Sequence, residues 1–246
     1  MKGRTSVLVL LALVARSVAP SAEASASPTT FDFDSAEPGQ ALSGFVTALT
    51  GRGEAGSWVV QEDPSAPSGK KVLVQTSRDT TGARFPLCVY DLLSAADVTL
   101  SVKFKPVSGT VDQAAGLVWR YQDPANYYLV RANALEGNVV LYKVENGRRS
   151  DLKPIGSGRL SYGKKATVAQ GTWQTLKVDV RGPRFSVFLN GEPLFDVEDF
   201  TFRAPGKVGL WTKADSVTEF DDLTIVPVIS QAGPPSAGPI SPAEIP

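Results

Sequence analysis

The chain has 246 residues, with 25 basic and 25 acidic side chains and therefore no formal net charge. A hydrophobic content of 42% and a charged content of 20% are typical of a globular protein that can bury a core. The balanced charge gives no reason to expect binding to nucleic acid or to an anionic membrane. The sequence contains no histidine, which excludes Ser-His-Asp and Cys-His catalysis and the usual zinc sites.

Residues 1–26 have the features of a secretory signal peptide. Lys2 and Arg4 precede an apolar run from Val7 to Ala15, and two Ala-x-Ala triplets follow it. The apolar run is too short to span a membrane. We therefore expect a secreted protein of the bacterial periplasm or the cell exterior. The alternative is a disordered, apolar N-terminus on a cytosolic protein.

Residues 27–228 read as one continuous domain. Residues 229–246 are mostly Pro, Gly, Ser and Ala with almost no charge, so we expect a disordered tail. The single cysteine, Cys88, lies in an apolar run. A buried structural thiol is expected there, because a reactive thiolate needs an electropositive and partly exposed setting.

Strand signals fill the domain, and helix signals are nearly absent. Apolar residues alternate with Thr, Ser and Lys over residues 98–105, and the segments 175–181 and 185–189 show the same period. Asn146-Gly147 and Asn190-Gly191 favour type I′ hairpin turns. About a dozen short strands with such turns predict an all-β fold, a two-sheet antiparallel jelly-roll sandwich.

Alternation also assigns side chains to the two faces of each strand. Because an unpaired Arg is costly to bury, we expect Arg120 to face away from the core. By the same argument, Arg131 and Lys143 are expected to face outward on the two strands that follow. The residues then expected in the core of these strands include Tyr121, Tyr128, Val140, Tyr142 and Val144. The expected outward, ligand-binding residues are Arg120, Tyr127, Arg131, Asn133, Lys143, Trp211, Lys213 and Asp215.

This outward set suits a carbohydrate ligand. Trp211 and Tyr127 would stack on the apolar C–H groups of a sugar, and the other six side chains would orient its hydroxyls. The alternative is a solvated sheet face with ordinary cross-strand pairs.

Four aspartates near the two ends of the domain suggest a second kind of site. If the terminal strands pair, as they often do in sandwiches, Asp32 or Asp34 would approach Asp221 or Asp222. Adjacent carboxylates repel unless a cation lies between them, and Ca²⁺ accepts such oxygen ligands. The alternative is four solvated turn or edge aspartates.

Catalytic carboxylates are harder to assign. Glycoside hydrolysis needs two carboxyl groups at a defined separation. Asp215 is the best-placed single candidate on the outward face. The loop or turn acids that could reach the rim of that face are Asp112, Asp123, Glu136 and Glu145, and no pair stands out.

Three segments together resemble a known group of domains. They are GLVWRYQDPANYYLVRANALEGNVVLYKVENGRR, WQTLKVDVRGPRFSVFLNG and PGKVGLWTKADSVTEFDDLTI. They are similar to the laminin-G-like, concanavalin A-like jelly rolls of bacterial secreted proteins, most nearly the 3-keto-disaccharide hydrolase-like domains, over about residues 30–226. The resemblance implies a concave sheet that handles carbohydrate, with either glycosidase or sugar-binding activity. Laminarinase-type relatives carry a Glu-x-Asp-x-x-Glu strand that this sequence lacks, so the resemblance assigns no catalytic residue.

The leading hypothesis is therefore a secreted jelly roll that binds a glycan without catalysis. The second is a glycoside hydrolase or lyase acting on 3-keto or ordinary disaccharides or on a polysaccharide. The third is a structural envelope or adhesion module with a flat outer face. Two carboxyl groups facing one groove would favour the second. Ca²⁺ is the only cofactor suggested, and the sequence makes no prediction of oligomeric state.

Overall fold

The structure, a computed structural model, describes residues 24–25, 27–40 and 42–229. The regular elements of these ranges are seventeen β-strands. In chain order they are β1 (Ala24–Ser25), β2 (Thr29–Phe31), β3 (Phe45–Gly51), β4 (Trp58–Glu62), β5 (Lys71–Gln75), β6 (Arg84–Ala95), β7 (Val98–Ser108), β8 (Ala114–Asp123), β9 (Asn126–Asn133), β10 (Asn138–Glu145), β11 (Arg148–Leu152), β12 (Lys164–Lys165), β13 (Gln174–Arg181), β14 (Arg184–Leu189), β15 (Glu192–Glu198), β16 (Gly206–Trp211) and β17 (Val217–Ile229). The predicted signal peptide and tail lie almost wholly outside these ranges.

The strands form two antiparallel sheets. Sheet I has the order β15-β14-β13-β7-β17-β5-β4, with β1 and β2 also paired to β17. Sheet II has the order β11-β10-β9-β8-β16-β6-β3, with β12 paired to β10. This arrangement confirms the predicted all-β, two-sheet antiparallel sandwich. No helix in the described ranges has the length and apolar character needed to cross a membrane.

Two hairpin turns lie where the Asn-Gly pairs predict them. Asn146 and Gly147 have φ values of 51° and 77°, and Asn190 and Gly191 have values of 54° and 85°. Positive φ at both central residues is the condition for a type I′ turn. The first of these turns fixes the register of β10 against β11, which places Val144 opposite Arg149.

The main core lies between the two sheets. In sheet I the expected alternation is present, since every second residue of β7 and β13 is buried. In sheet II the residues that face this core include a row of register partners, Leu141, Val130, Leu117, Leu210 and Cys88. Burial raises the pKa of the Cys88 thiol to about 12, so this cysteine is the buried and inert thiol that its apolar setting predicts.

Sheet II also buries residues on its outer face, the face turned away from sheet I. A second apolar cluster there contains Tyr121, Val140, Tyr142 and Val144. The prediction that placed these four residues in the core between the sheets was wrong, whereas Tyr128 does lie in that core. When both faces of a strand are apolar, alternation cannot tell one face from the other.

The core between the sheets predicts a large difference between two leucines. Leu100 on β7 is fully buried, and Leu92 on β6 is 74% exposed. We expect Leu100→Ala to lower the free energy of unfolding by about 2–5 kcal/mol, because it leaves a cavity. Leu92→Ala, the matched control, should change it by less than about 0.5 kcal/mol. Urea unfolding of both variants tests this, and equal losses would contradict the assignment of the core.

Candidate functional site

The outer face of sheet II carries the polar groups of the candidate site on a regular backbone frame. Val140, Arg131, Gly116, Trp211 and Leu87 are register partners on five adjacent strands, so their side chains share this face. A Cβ atom at Gly116 would lie 3.2 Å from Cε3 of Trp211. Glycine at this position therefore lets the indole pack close against the sheet.

Aromatic side chains cover the apolar part of this face. Trp211 stacks on Phe85 with ring centroids 5.5 Å apart, and the hydroxyls of Tyr127 and Thr50 lie 2.9 Å apart in a hydrogen bond. Trp211 and Tyr127 lie on the outer face, as alternation predicts, but both are 0% exposed. Burial raises the pKa of Tyr127 to about 12. Neither ring has a free face for a sugar, so the predicted stacking platform is not formed by these two residues.

Arg149 on β11 completes the aromatic layer. Its guanidinium carbon lies 4.5 Å from the ring centroid of Tyr142, 4.6 Å from that of Phe85 and 5.8 Å from that of Trp211. Cation–π contacts of this kind contribute about 0.5–2 kcal/mol each. Sequence analysis missed Arg149, although the Asn146-Gly147 turn sets the register that would have placed it on this face.

A polar group adjoins the aromatic layer, and we call it the Arg131 cluster. Its members are Asp112, Arg131, Asn133, Glu136, Asn138, Tyr142, Tyr162 and Lys213. Nη2 of Arg131 donates to Oε2 of Glu136 (2.9 Å) and to the hydroxyls of Tyr142 (2.9 Å) and Tyr162 (3.3 Å). Arg131 is only 1% exposed, and its Nε and Nη1 atoms have no hydrogen-bond partner in the described residues. Buried donors without acceptors are costly, so the bonds of Nη2 and the charge of Glu136 carry most of the compensation of this guanidinium.

Asn133 holds two carboxylates side by side in this cluster. Its Nδ2 atom donates to Oδ1 of Asp112 (2.5 Å) and to Oε1 of Glu136 (3.2 Å). The ammonium of Lys213 pairs with the other oxygen of Asp112. Partial burial tends to raise the pKa of Glu136, but the hydrogen bond and the charge of Arg131 outweigh it and hold that pKa below its usual value.

Asp215 supports the loop that carries Asp112. Its carboxylate accepts hydrogen bonds from the backbone N–H groups of Thr110 (2.7 Å), Val111 (3.0 Å) and Asp112 (3.0 Å), and from the Thr110 hydroxyl (2.8 Å). Burial opposes ionisation, but these hydrogen bonds lower the pKa of Asp215. Both oxygens are occupied, so Asp215 positions Asp112 and is poorly placed for the catalytic role considered from the sequence.

Exposed apolar side chains border the cluster. Val111 is 44% exposed, Leu135 52% and Tyr162 46%. Val111 and Leu135 directly precede Asp112 and Glu136 in the chain, and the Tyr162 hydroxyl shares a hydrogen bond with Tyr142. A polar centre with an apolar rim is the usual composition of a small-ligand site.

Arg120 lies outside this site, so its predicted outward position was wrong. Its φ is 47°, and the pairing of β8 with β9 shifts register after Trp119. A bulge of this kind inserts an extra residue, so the side chains after it point to the opposite face of the sheet. The guanidinium donates to the carbonyls of Ala96 (2.8 Å), Phe202 (2.7 Å) and Gly182 (2.6 Å), at the rim between the sheets.

Lys143 also lies elsewhere. It shares its face of β10 with Val139 and Leu141, which belong to the core between the sheets. Its ammonium donates to Oγ1 of Thr201 (2.6 Å) and lies 3.7 Å from Oδ2 of Asp199. A lysine near a strand end can bury its stem against the core while its charge reaches a polar rim, and the outward assignment did not allow for this.

The terminal strands pair as expected, since Phe31 of β2 is the register partner of Leu223 of β17. The four predicted calcium ligands nevertheless all have partners within the chain, and Asp221 and Asp222 share the hydroxyl of Ser68. Asp32 accepts the N–H of Asp34 (3.2 Å), Asp34 those of Lys70 (2.8 Å) and Lys71 (3.0 Å), Asp221 that of Ser68 (3.0 Å), and Asp222 pairs with Lys103 (2.8 Å). Among the residues that the structure describes, no group of three or more His, Cys, Asp or Glu side chains could hold a metal ion. The structure therefore does not assemble the predicted calcium site.

The fold places the chain among jelly-roll sandwiches, and comparison of sequences gives its family. The family model described as the 3-keto-alpha-glucoside-1,2-lyase-like domain matches residues 30–226, and the chain belongs to this family. The match confirms the resemblance noted in the sequence. None of the curated proteins matches this sequence.

Solved structures share the fold. The carbohydrate binding module CBM66 from Bacillus subtilis is 22% identical over 74% of this chain and 94% of its own, with a TM-score of 0.54. The cellulose induced protein Cip1 is 12% identical over 80% of this chain and 96% of its own, with a TM-score of 0.55. A protein of unknown function from Shewanella oneidensis MR-1 is 15% identical over 85% and 90% of the two chains, with a TM-score of 0.52. At these identities the likeness establishes the jelly-roll fold.

The bonds of Asp215 predict a stability change that depends on pH. We expect Asp215→Asn to lower the free energy of unfolding by about 1–3 kcal/mol at neutral pH. Because the folded-state pKa of Asp215 is lowered, its stabilisation is complete above the usual value of 3.8 and is lost as the pH falls through and below that value. The difference between wild type and variant should shrink accordingly in urea unfolding at acid pH. Glu62→Gln, at an exposed acid, is the control, and a difference that grows on acidification would contradict the assignment.

Proposed function

We propose that the protein binds carbohydrate on the outer face of sheet II, at the Arg131 cluster. The observation that carries the proposal is the meeting of partly exposed polar groups, the carboxylate of Glu136 and the ammonium of Lys213, with an exposed apolar rim. Sugar hydroxyls both donate and accept, so one ring can satisfy groups of both types. A purely structural sheet face would not need this combination of polar groups and exposed apolar side chains.

The apolar rim supports the same proposal. The exposed ring of Tyr162 takes over the stacking role that the sequence suggested for Trp211 and Tyr127. A tyrosine can pack its face on sugar C–H groups while its hydroxyl stays bonded to the protein. Leu135 and Val111 extend the apolar border on the side of the two carboxylates.

The comparisons and the N-terminus agree with this proposal. CBM66, whose fold the chain shares, is a carbohydrate binding module, and the family description refers to a glucoside. We propose that the protein acts outside the cytoplasm, as the expected signal peptide implies. Extracellular glycans would be accessible to it there.

Two exposed aromatic residues provide a matched test of binding. Aromatic packing of this kind contributes about 0.5–1.5 kcal/mol, so Tyr162→Ala should weaken glycan affinity roughly three- to tenfold. Phe200, which is 53% exposed and lines a hollow beside Arg120, serves as the control. A glycan array identifies the ligand, and affinity electrophoresis then compares wild type, Tyr162→Ala and Phe200→Ala. Equal weakening by both variants, or no glycan retained by the wild type, would count against the site.

A second candidate function is elimination from a 3-keto-glucoside. It is favoured by the two adjacent carboxylates, Asp112 and Glu136, and by the description of the family. A ketone at C3 makes the C2 proton acidic. A base removes that proton, and the C–H electrons form the enolate of the C3 ketone. The enolate electrons then form a C1=C2 double bond while the C1–O bond breaks, and the second sugar leaves as an alcohol after protonation. Glu136 is the more accessible of the two carboxylates, with 37% of its side chain exposed, and therefore suits the role of base, while the partly exposed ammonium of Lys213 suits the enolate oxygen.

Glu136→Gln tests this second candidate. If Glu136 is the base, the variant should cleave a 3-keto-α-glucoside about 10²- to 10⁴-fold more slowly than wild type. Glu145→Gln changes an exposed acid on β10 and is the control. Product release followed by chromatography provides the measurement. No cleavage by the wild type would remove the enzymatic candidate and leave the binding proposal intact.

A further inference from the structure

Arg149 differs from the arginines that are fully buried in the described residues. Arg84 and Arg120 each donate to three backbone carbonyls and lie beside an aspartate. Arg131 pairs with Glu136. These contacts follow the rule that a buried charge is paired or hydrogen-bonded.

Arg149 has no such compensation. Across the described residues its side chain makes no hydrogen bond and no ion pair, and its Nη1 atom is buried without a partner. A guanidinium carries five N–H donors in a rigid fork. The rings of Phe85, Tyr142 and Trp211 hold this fork in place, and Arg149 is only partly buried. It is therefore an oriented set of donors without a protein acceptor, and because the residue is partly exposed, a ligand can reach the donors other than Nη1.

The charged side chains near Arg149 pair with one another and leave its positive charge without a partner. On the same face, Asp112 pairs with Lys213, Glu136 with Arg131, and Asp151 with Lys153. The ammonium of Lys165 adds a further positive charge 3.4 Å from the carbonyl oxygen of Glu136. Among the residues that the structure describes, no carboxylate lies within ion-pair distance of the Arg149 guanidinium.

We propose that the glycan bound on this face carries an anionic group and that Arg149 pairs with it. The inference rests on the proposed function and specifies its ligand class as an acidic carbohydrate. A uronate carboxylate and a sulfate ester each present two or more anionic oxygens side by side. A guanidinium can bind two such oxygens with two parallel N–H donors. The ring centroid of Tyr142 lies 5.7 Å from the guanidinium carbon of Arg131 and 4.5 Å from that of Arg149, so Arg149 adjoins the Arg131 cluster.

The experiment is affinity electrophoresis of the full chain in gels containing polygalacturonate, dextran sulfate or uncharged dextran. We expect an acidic polymer to retard the wild type, and the two charged polymers separate a carboxylate ligand from a sulfate ligand. Arg149→Gln should weaken that retardation at least about tenfold, as expected for loss of a charge-assisted bidentate pair. Arg148→Gln is the matched control, because Arg148 is the exposed neighbour on the same strand with its side chain on the opposite face. The chain has no net charge to attract polyanions in general.

Each outcome separates this inference from the proposed function. Retardation by dextran alone would overturn the acidic ligand and keep carbohydrate binding, whereas no retardation by any glycan would overturn both. Equal weakening by Arg148→Gln and Arg149→Gln would show general charge attraction and would also overturn the inference. Should Arg149→Gln fail to fold in a thermal melt, Arg149→Lys keeps a cation over the rings and should lose only the bidentate part of the binding. Acidic-polymer binding by Arg149→Lys that is insensitive to added NaCl would then refute the pairing.

Discussion

The buried guanidinium of Arg131 is the constraint on which the organisation of the site depends. A charge held inside a sheet face must be compensated, and removing one partner of a buried pair typically costs about 3–5 kcal/mol. Glu136 supplies the opposite charge from the turn after β9, and Asn133 fixes that turn by accepting the backbone N–H groups of Leu135 and Glu136. Asp215 in turn fixes the loop that brings Asp112 to Asn133. The polar cluster is thus built around the buried charge of one arginine.

The sequence predicted sheet I better than sheet II for a physical reason. Sheet I buries one face of β7 and β13, so a period of two is visible in the sequence and the assigned faces agree with the structure. The central strands of sheet II bury both faces, and the period disappears. On these strands the predicted faces therefore depended only on the rule that charged residues point outward. It failed at Arg120, where a bulge changes the register, and at Lys143, where the stem follows the core.

The candidate site was predictable to the extent that it lies on regular strands. Arg131 and Asn133 alternate correctly on β9, and both belong to the cluster. Arg149 could have been placed from the Asn-Gly turn, which fixes it opposite Val144, but only with the face of β10 known. Tyr162 lies in the segment between β11 and β12, where no period links sequence to direction. Its approach to Arg131 is a tertiary contact that local patterning does not encode.

The distribution of charge along the outer face of sheet II also determines how a ligand would lie on it. Two carboxylates, Asp112 and Glu136, border the Arg131 end of the face, and like charges repel a nearby anion. An acidic substituent is therefore disfavoured there, and hydroxyls are better partners for Asn138 and Tyr162. At Arg149 no carboxylate opposes an anion, and aromatic rings exclude water from one side of the guanidinium. Under the proposed function, the two ends would therefore favour different groups of one sugar, with its hydroxyl-rich edge toward Arg131 and its charged substituent toward Arg149.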